Sequence, residues 1–201
     1  RHHTATVPLG GGIAVFATII AALLGGIIIV KFLVLPGRLA WLDSSLRQHG
    51  PGFSEKIPEL LVTIACLTGL FVLGLADDLK SLSPKSKLLC QFAVAVAAAA
   101  FANIRVEFFI ENDLITTCLS AFWIVLIINA FNFLDNMDGL SAGIAAIAVG
   151  ILLIAGVIAG QVFVSALAIL LLGALLGFLM FNFPPAKIFM GDAGSFVIGF
   201  L

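Results

Sequence analysis

Residues 114–140 read LITTCLSAFWIVLIINAFNFLDNMDGL. The first part, Leu114–Phe131, is apolar enough to cross a bilayer, which takes ~20 such residues in a helix. The second part sets Asn129, Asn132, Asp135 and Asp138 at a strict spacing of three. On a helix that spacing makes one slowly turning polar stripe. A membrane helix turns such a stripe toward a protein-lined cavity and not toward lipid. Asparagine amides supply donors for a nucleotide or sugar, and carboxylates supply metal ligands or a base. Gly139 would let the chain turn sharply into the next apolar run. A simple polar cap between two helices is the plainer reading, but it needs no four polar residues in register.

The same alternation continues in both directions. The 201 residues are 62% hydrophobic and 10% charged, with net charge −1. Soluble domains run near half apolar and about a quarter charged, so the solvent here is lipid. No basic field exists to attract nucleic acid. Six segments read as spans: Ile13–Val34, Ile57–Leu75, Leu88–Ala102, Leu114–Phe131, Leu140–Ala159 and Val162–Phe181, with a seventh starting at Phe196. The expectation is an all-α, polytopic transmembrane helix bundle of six full spans plus the start of a seventh. Residues 1–201 would form a single transmembrane catalytic domain, cut at both ends. Cys66, Cys90 and Cys118 lie far apart in apolar runs and read as packing residues. Gly156/Gly160 and Gly173/Gly177 are spaced for close helix approach.

Counting crossings sorts the connections onto two faces. The N-terminal face, here face A, receives residues 1–12, 76–87, 132–139 and 182–195. The opposite face B receives residues 35–56, 103–113 and the turn at Gly160. The clusters richest in paired acids, asparagines and glycines all fall on face A. Lys and Arg divide evenly between the faces, so the positive-inside rule gives no orientation. The long connection 35–56 has no evident function.

Two further clusters share face A. Asp77-Asp78 closes the second apolar run, where adjacent carboxylates repel unless a cation or proton intervenes. Such a pair helps hold Mg²⁺ or takes a proton from a phosphate, unless it is an ordinary acidic helix end. The stretch NFPPAKIFMGDAGS, 182–195, ends a helix at its double proline. It then places Asp192 among glycines ahead of the next apolar run. There Asp192 suits a metal and the following helix amides suit a phosphate, although Asp, Gly and Ser also favour plain caps and turns. Pro8-Leu9-Gly10-Gly11-Gly12 reads as a flexible entry to the first span.

Taken in order, these motifs resemble the polyprenyl-phosphate N-acetylhexosamine-1-phosphate transferases, or glycosyltransferase family 4. That family includes undecaprenyl-phosphate GlcNAc-1-phosphate transferases and phospho-MurNAc-pentapeptide translocases. The resemblance runs from His3 to Ser195. Asp77-Asp78 matches the family's aspartate pair. Asn129 to Leu140 matches Asn-x-x-Asn-x-x-Asp-Gly-x-Asp-Gly-Leu, except that Asn136 replaces the first glycine. Phe189 to Ser195 matches Phe-Met-Gly-Asp-x-Gly-Ser completely. His3, Pro8, Gly11 and Gly12 fit the N-terminal pattern, from which Thr6, Val7 and Leu9 depart.

The resemblance implies a larger protein of about ten spans, with a His-rich loop beyond the last residue here. It implies transfer of a sugar 1-phosphate from a UDP-sugar to polyprenyl phosphate, with release of UMP, at the first membrane step of envelope polysaccharide synthesis. GlcNAc is the favoured sugar and MurNAc-pentapeptide the alternative. Mg²⁺ is the implied cofactor, with Mn²⁺ as a substitute. Asp192 would be its principal ligand, with Asp77, Asp78 and Asp135 catalytic. Either Asp77 or Asp78 would be the base. Asn129, Asn132, Asp138, Asn182 and Phe189 would bind the nucleotide sugar, Phe189 by stacking on uracil. Face A would be the cytoplasmic face of the inner (plasma) membrane, and a homodimer is compatible with the family. Two rivals remain. A cation- or proton-coupled transporter should carry acids at mid-helix. An assembly protein built on the glycine spacings leaves the three motifs unexplained.

Overall fold

A computed structural model of the chain describes residues 7–38, 44–106 and 111–201. His3 and Thr6 lie outside these residues. The described residues form helices α1 (Gly11–Ile29), α2 (Ser44–Glu55), α3 (Ile57–Leu79), α4 (Pro84–Phe101), α5 (Asp113–Leu134), α6 (Leu140–Ile158), α7 (Val162–Asn182) and α8 (Gly191–Phe200). A π-helical turn, Val30–Val34, continues α1. The chain is an all-helical, multi-pass membrane protein. Five helical stretches are long and apolar enough to cross a bilayer: Gly11–Val34, Ile57–Leu79, Asp113–Leu134, Leu140–Ile158 and Val162–Asn182.

The sixth expected span, Leu88–Ala102, falls in α4, which does not meet that standard. Its first turn carries Lys85 and Lys87, and its 18 residues rise only ~27 Å against a core of ~30 Å. Ser83 caps it by accepting from the Ser86 amide, and Pro84 at its first position needs no donor there. Pairings place α4 antiparallel between α3 and α5. Lys87 meets Asp77 near one end and Arg105, just beyond the other end, joins Asp113. Between them, Cys66 donates to the Val94 carbonyl and Asn129 donates to Gln91.

Helix α8 is the hub. It packs against α1, α3 and α5, and every residue from Gly191 to Phe200 except Asp192 is buried. It begins at Gly191, earlier than the Phe196 start read from hydropathy, because small residues there let backbones meet. A Cβ on Gly12 of α1 or on Gly74 of α3 would strike the backbone of the first turn of α8. The glycine cluster at the chain's start is therefore a packed joint. Gly11 and Gly12 donate their amides to Phe189 and Met190 carbonyls at 2.9 and 3.0 Å, and Phe189 donates to Pro8.

Two other expectations change. Residues 44–55 of the long face B connection form α2, and its Phe53 ring lies 5.9 Å from that of Phe163. Of the glycine spacings, only Gly156 meets a neighbouring helix, at Ser165. Gly160 sits in the turn, and Gly173 and Gly177 face open space. They line a groove of about 550 Å³ between α1 and α7 that ends at Lys187. Elsewhere the outer surface is apolar, with Phe122, Trp123, Ile147 and Ile151 each more than half exposed. Such a surface suits lipid.

Candidate active site

Asp77 and Asp78 occupy the last turn of α3. A helix C-terminus carries partial negative charge, so two acids there are misplaced unless something answers them. Asp78 is answered by the opposite pole of another helix. Its Oδ1 accepts from the Asp192 amide at 2.8 Å and its Oδ2 from the Ala193 amide at 3.0 Å. Asp135 Oδ2 accepts from the Gly191 amide at 3.2 Å. Two carboxylates from the C-terminal ends of α3 and α5 thus cap α8. Gly191 has φ of 73°, and a Cβ there would lie 2.6 Å from Asp78 Oδ2. Only glycine brings this turn so close to the carboxylate in that conformation.

A phosphate was expected at the amides of the helix that follows Asp192, but the helix begins at Gly191 and the amides of Gly191, Asp192 and Ala193 are already bonded to protein carboxylates. The anion that α8 attracts is supplied from within the chain.

Asp77 is answered by a cation. Lys87 Nζ donates to Asp77 Oδ2 at 2.8 Å and to Asp192 Oδ2 at 3.3 Å. Leu82 donates its amide to Asp77 Oδ1 at 2.7 Å, and Asn132 Nδ2 donates to Asp192 Oδ1 at 2.7 Å. The side chains of Lys87, Asp77 and Asp192 are 24%, 13% and 23% exposed, so this cluster is partly buried but open on one side. Burial pushes the Asp192 carboxyl above the usual carboxylate range, and the facing Asp77 adds to the rise. Asn132 and Lys87 pull against it.

Asn132 also donates to Ser195 Oγ at 3.0 Å, which ties α5 to α8. One turn earlier, Asn129 donates to Gln91 Oε1 at 2.7 Å. The polar stripe does not continue as a single helix. Helix α5 ends at Leu134, so Asp135 is its C-cap and Asp138 lies in the following turn. Asp138 Oδ2 accepts from the Ala186 amide at 3.0 Å. Asn182 is 3% exposed. Its Oδ1 accepts from the Gly139 amide and its Nδ2 donates to the Ile188 carbonyl, both at 2.9 Å. It therefore fastens the 182–190 loop beneath the site. Phe189 is half-buried at the edge of the same loop.

The structure thus gathers Asp77, Asp78, Asn132, Asp135 and Asp192 at one end of the bundle. Asn129 sits a turn deeper, while Asp138 and Asn182 brace the flanking loops. Sequence reading missed Lys87, Gln91, Gly12 and Gly74. Lys87 carries a detectable signal, since a cation in the first turn of a helix opposes the dipole. Gln91 follows it by one turn in an otherwise apolar run.

The carboxylate oxygens of Asp77 and Asp192 are hard ligands of the kind Mg²⁺ takes, while Asn132 turns its Nδ2 donor toward Asp192. Among the described residues no three acid, His or Cys side chains form a ready-made metal cage. That fits an ion bound by one or two carboxylates plus substrate phosphates. The Lys87 ammonium between Asp77 and Asp192 marks where a cation is favoured.

Comparison with known proteins gives the family. The description of glycosyl transferase family 4 matches residues 60–201. The chain is similar to a probable undecaprenyl-phosphate N-acetylglucosaminyl 1-phosphate transferase of Bacillus subtilis (strain 168), 30% identical over 98% of this chain and 50% of that protein. It is also similar to the phospho-N-acetylmuramoyl-pentapeptide-transferase of the same organism, 34% identical over 73% of this chain and 51% of that protein. The corresponding transferase of Clostridioides difficile (strain 630) is 34% identical over 70% of this chain and 50% of its own length. The chain belongs to glycosyl transferase family 4. It spans about half the length of the curated relatives it matches.

Proposed function

We propose that the protein transfers a sugar 1-phosphate from a UDP-sugar to a polyprenyl phosphate and releases UMP. The observation that carries this reading is the convergence of three acidic motifs, from three separate connections, around the N-terminus of α8. Asp192, oriented by the Asn132 amide, would hold Mg²⁺. When bound, that ion supplies charge neutralisation across the diphosphate as negative charge moves onto UMP. Asp77 takes the proton from the lipid phosphate, whose oxygen attacks the β-phosphorus while the bond to UMP breaks. Asp78 is less suited to that role because both of its oxygens are held by backbone amides of α8, whereas Asp77 Oδ2 is held only by the flexible Lys87 side chain. Asp78 and Asp135 fix the position of Asp192, and Asn182 and Asp138 fix the loop that carries Phe189. Phe189 stacks on the uracil.

N-acetylglucosamine 1-phosphate is the favoured group, supported by a likeness to its transferase over nearly the whole chain. Phospho-MurNAc-pentapeptide is the second reading, supported by the higher identity over a shorter stretch. Helix α4 would complete a sixth span, supported by its pairing with α3 and α5 along its length. Face A would lie on the cytoplasmic side of the plasma membrane, where UDP-sugars are made.

The test is UMP release by the purified full-length protein in detergent with undecaprenyl phosphate, Mg²⁺ and a panel of UDP-sugars. Lipid-dependent release from UDP-GlcNAc alone supports the first reading, and from UDP-MurNAc-pentapeptide alone the second. Turnover that persists in excess EDTA would remove the metal from the mechanism.

A further inference from the structure

All four carboxylate oxygens of Asp77 and Asp192 already have donors. Asp77 Oδ1 accepts from the Leu82 amide and Asp192 Oδ1 from Asn132. The two Oδ2 atoms share a single donor, Lys87 Nζ. A divalent ion bound at Asp192 Oδ2 would sit beside the Lys87 ammonium, the one cation among these donors, and the two like charges would repel. The Leu82 amide belongs to the backbone just after α3, and Asn132 is also tied to Ser195. Lys87 is held by nothing else that the structure records, and its ammonium rides on four flexible methylenes.

Local electrostatics gives the reason for such a residue. Two partly buried carboxylates repel each other unless a cation or proton lies between them. A lysine in the first turn of α4 is disfavoured by its own helix dipole. Its position is explained by the carboxylate pair it bridges.

We propose that Lys87 is the internal counter-cation of the metal-free site, and that its ammonium competes with the divalent ion for Asp192. This rests on the reading of Asp192 as a metal ligand. Metal entry frees Lys87, and loss of the metal lets it return, which keeps the carboxylates gathered between turnovers. Lys87 is therefore a positioning residue whose removal should tighten metal binding, the reverse of what loss of a ligand does.

The test measures Mn²⁺ binding to the full-length protein in detergent, without substrates, by the EPR signal of free Mn²⁺. Lys87→Met should bind Mn²⁺ about three- to fivefold more tightly than wild type, the scale of a partly exposed ion pair. Its metal-free melting temperature should fall, and the rise on adding Mn²⁺ should grow. Lys87→Arg keeps the charge and grips carboxylates with two donors, so it should bind Mn²⁺ no more tightly than wild type. Unchanged or weaker Mn²⁺ affinity in Lys87→Met would overturn the proposal. So would tighter binding in Lys87→Arg, which also decides the matter if the methionine variant does not fold. Asp192→Asn separates the two layers. Wild-type Mn²⁺ affinity there would remove the metal reading itself. Lost affinity there, with no change in Lys87→Met, would remove only the role of Lys87.

Discussion

The two ends of the bundle carry charged residues of the same kinds, yet they use them differently. On face B, Lys56 pairs with Glu59 three residues away at 2.9 Å. Arg105 reaches Asp113 eight residues on at 2.8 Å, and that aspartate side chain is 90% exposed. Asn112 caps its own helix. On face A the bonds join distant segments: 105 residues separate Lys87 from Asp192, 60 separate Asn132 from Asp192, and 114 separate Asp78 from the Asp192 amide. Face B charges solvate helix ends. Face A polar groups hold four helices and two loops in one arrangement. The range of a polar contact, more than the number of charges, marks the site.

Breaking the comparison begins at its centre. Asp192→Asn should lower UMP release about a hundredfold to a thousandfold, as loss of a preorganised electrostatic group does, while the protein still inserts and folds. Near-normal turnover would mean that Asp192 is not the metal ligand. Next comes the joint beneath it. Gly74→Val forces a side chain into the α8 backbone and should cost about 1–3 kcal/mol of stability. Melting in detergent would show this, and an unchanged melting point would mean that α3 and α8 are further apart than described.

Asp78 separates capping from base chemistry. Asp78→Ala removes both bonds to α8 and should cost about 0.5–2 kcal/mol in stability. Asp78→Asn keeps one acceptor and should recover much of the stability and turnover. Equal inactivity of the two variants, with normal melting, would restore Asp78 as a candidate base. The deeper pair is weaker still. A double-mutant cycle on Gln91 and Asn129 should give a coupling of about 0.6 kcal/mol, the usual value for hydrogen bonds between membrane helices. The smallest effect belongs to face B. Lys56→Gln should change stability by no more than about 0.5 kcal/mol and leave turnover intact. A large loss of turnover there would erase the contrast between the faces.

Much of this was legible in the sequence. Five apolar runs became spanning helices. Counting six crossings grouped the three acidic motifs, and their side chains do meet at one end of the bundle. The aspartates at 77, 78, 135 and 192 were found because acids beside long apolar runs are costly. The illegible parts share one cause. Asp77 and Asp78 are identical in type and adjacent, so only the rotation of α3 against α8 separates a lysine-paired carboxylate from a capping one. Gly12 and Gly74 look like ordinary membrane glycines until another backbone is seen against them. The three-residue spacing after Asn129 promised one stripe, but α5 stops at Leu134 and divides it between helix and turn.

The sequence by itself determined the solvent, five helices long and apolar enough to span, and the family, because each depends on local composition or a short motif. Tertiary structure alone decided the pairings: Lys87 between Asp77 and Asp192, Asp78 and Asp135 on α8, and Asn182 under its loop. Apolar burial in a bilayer fixes that a helix crosses but hardly constrains its rotation or depth. Those are set by small residues that let backbones meet and by polar groups that find partners from distant segments.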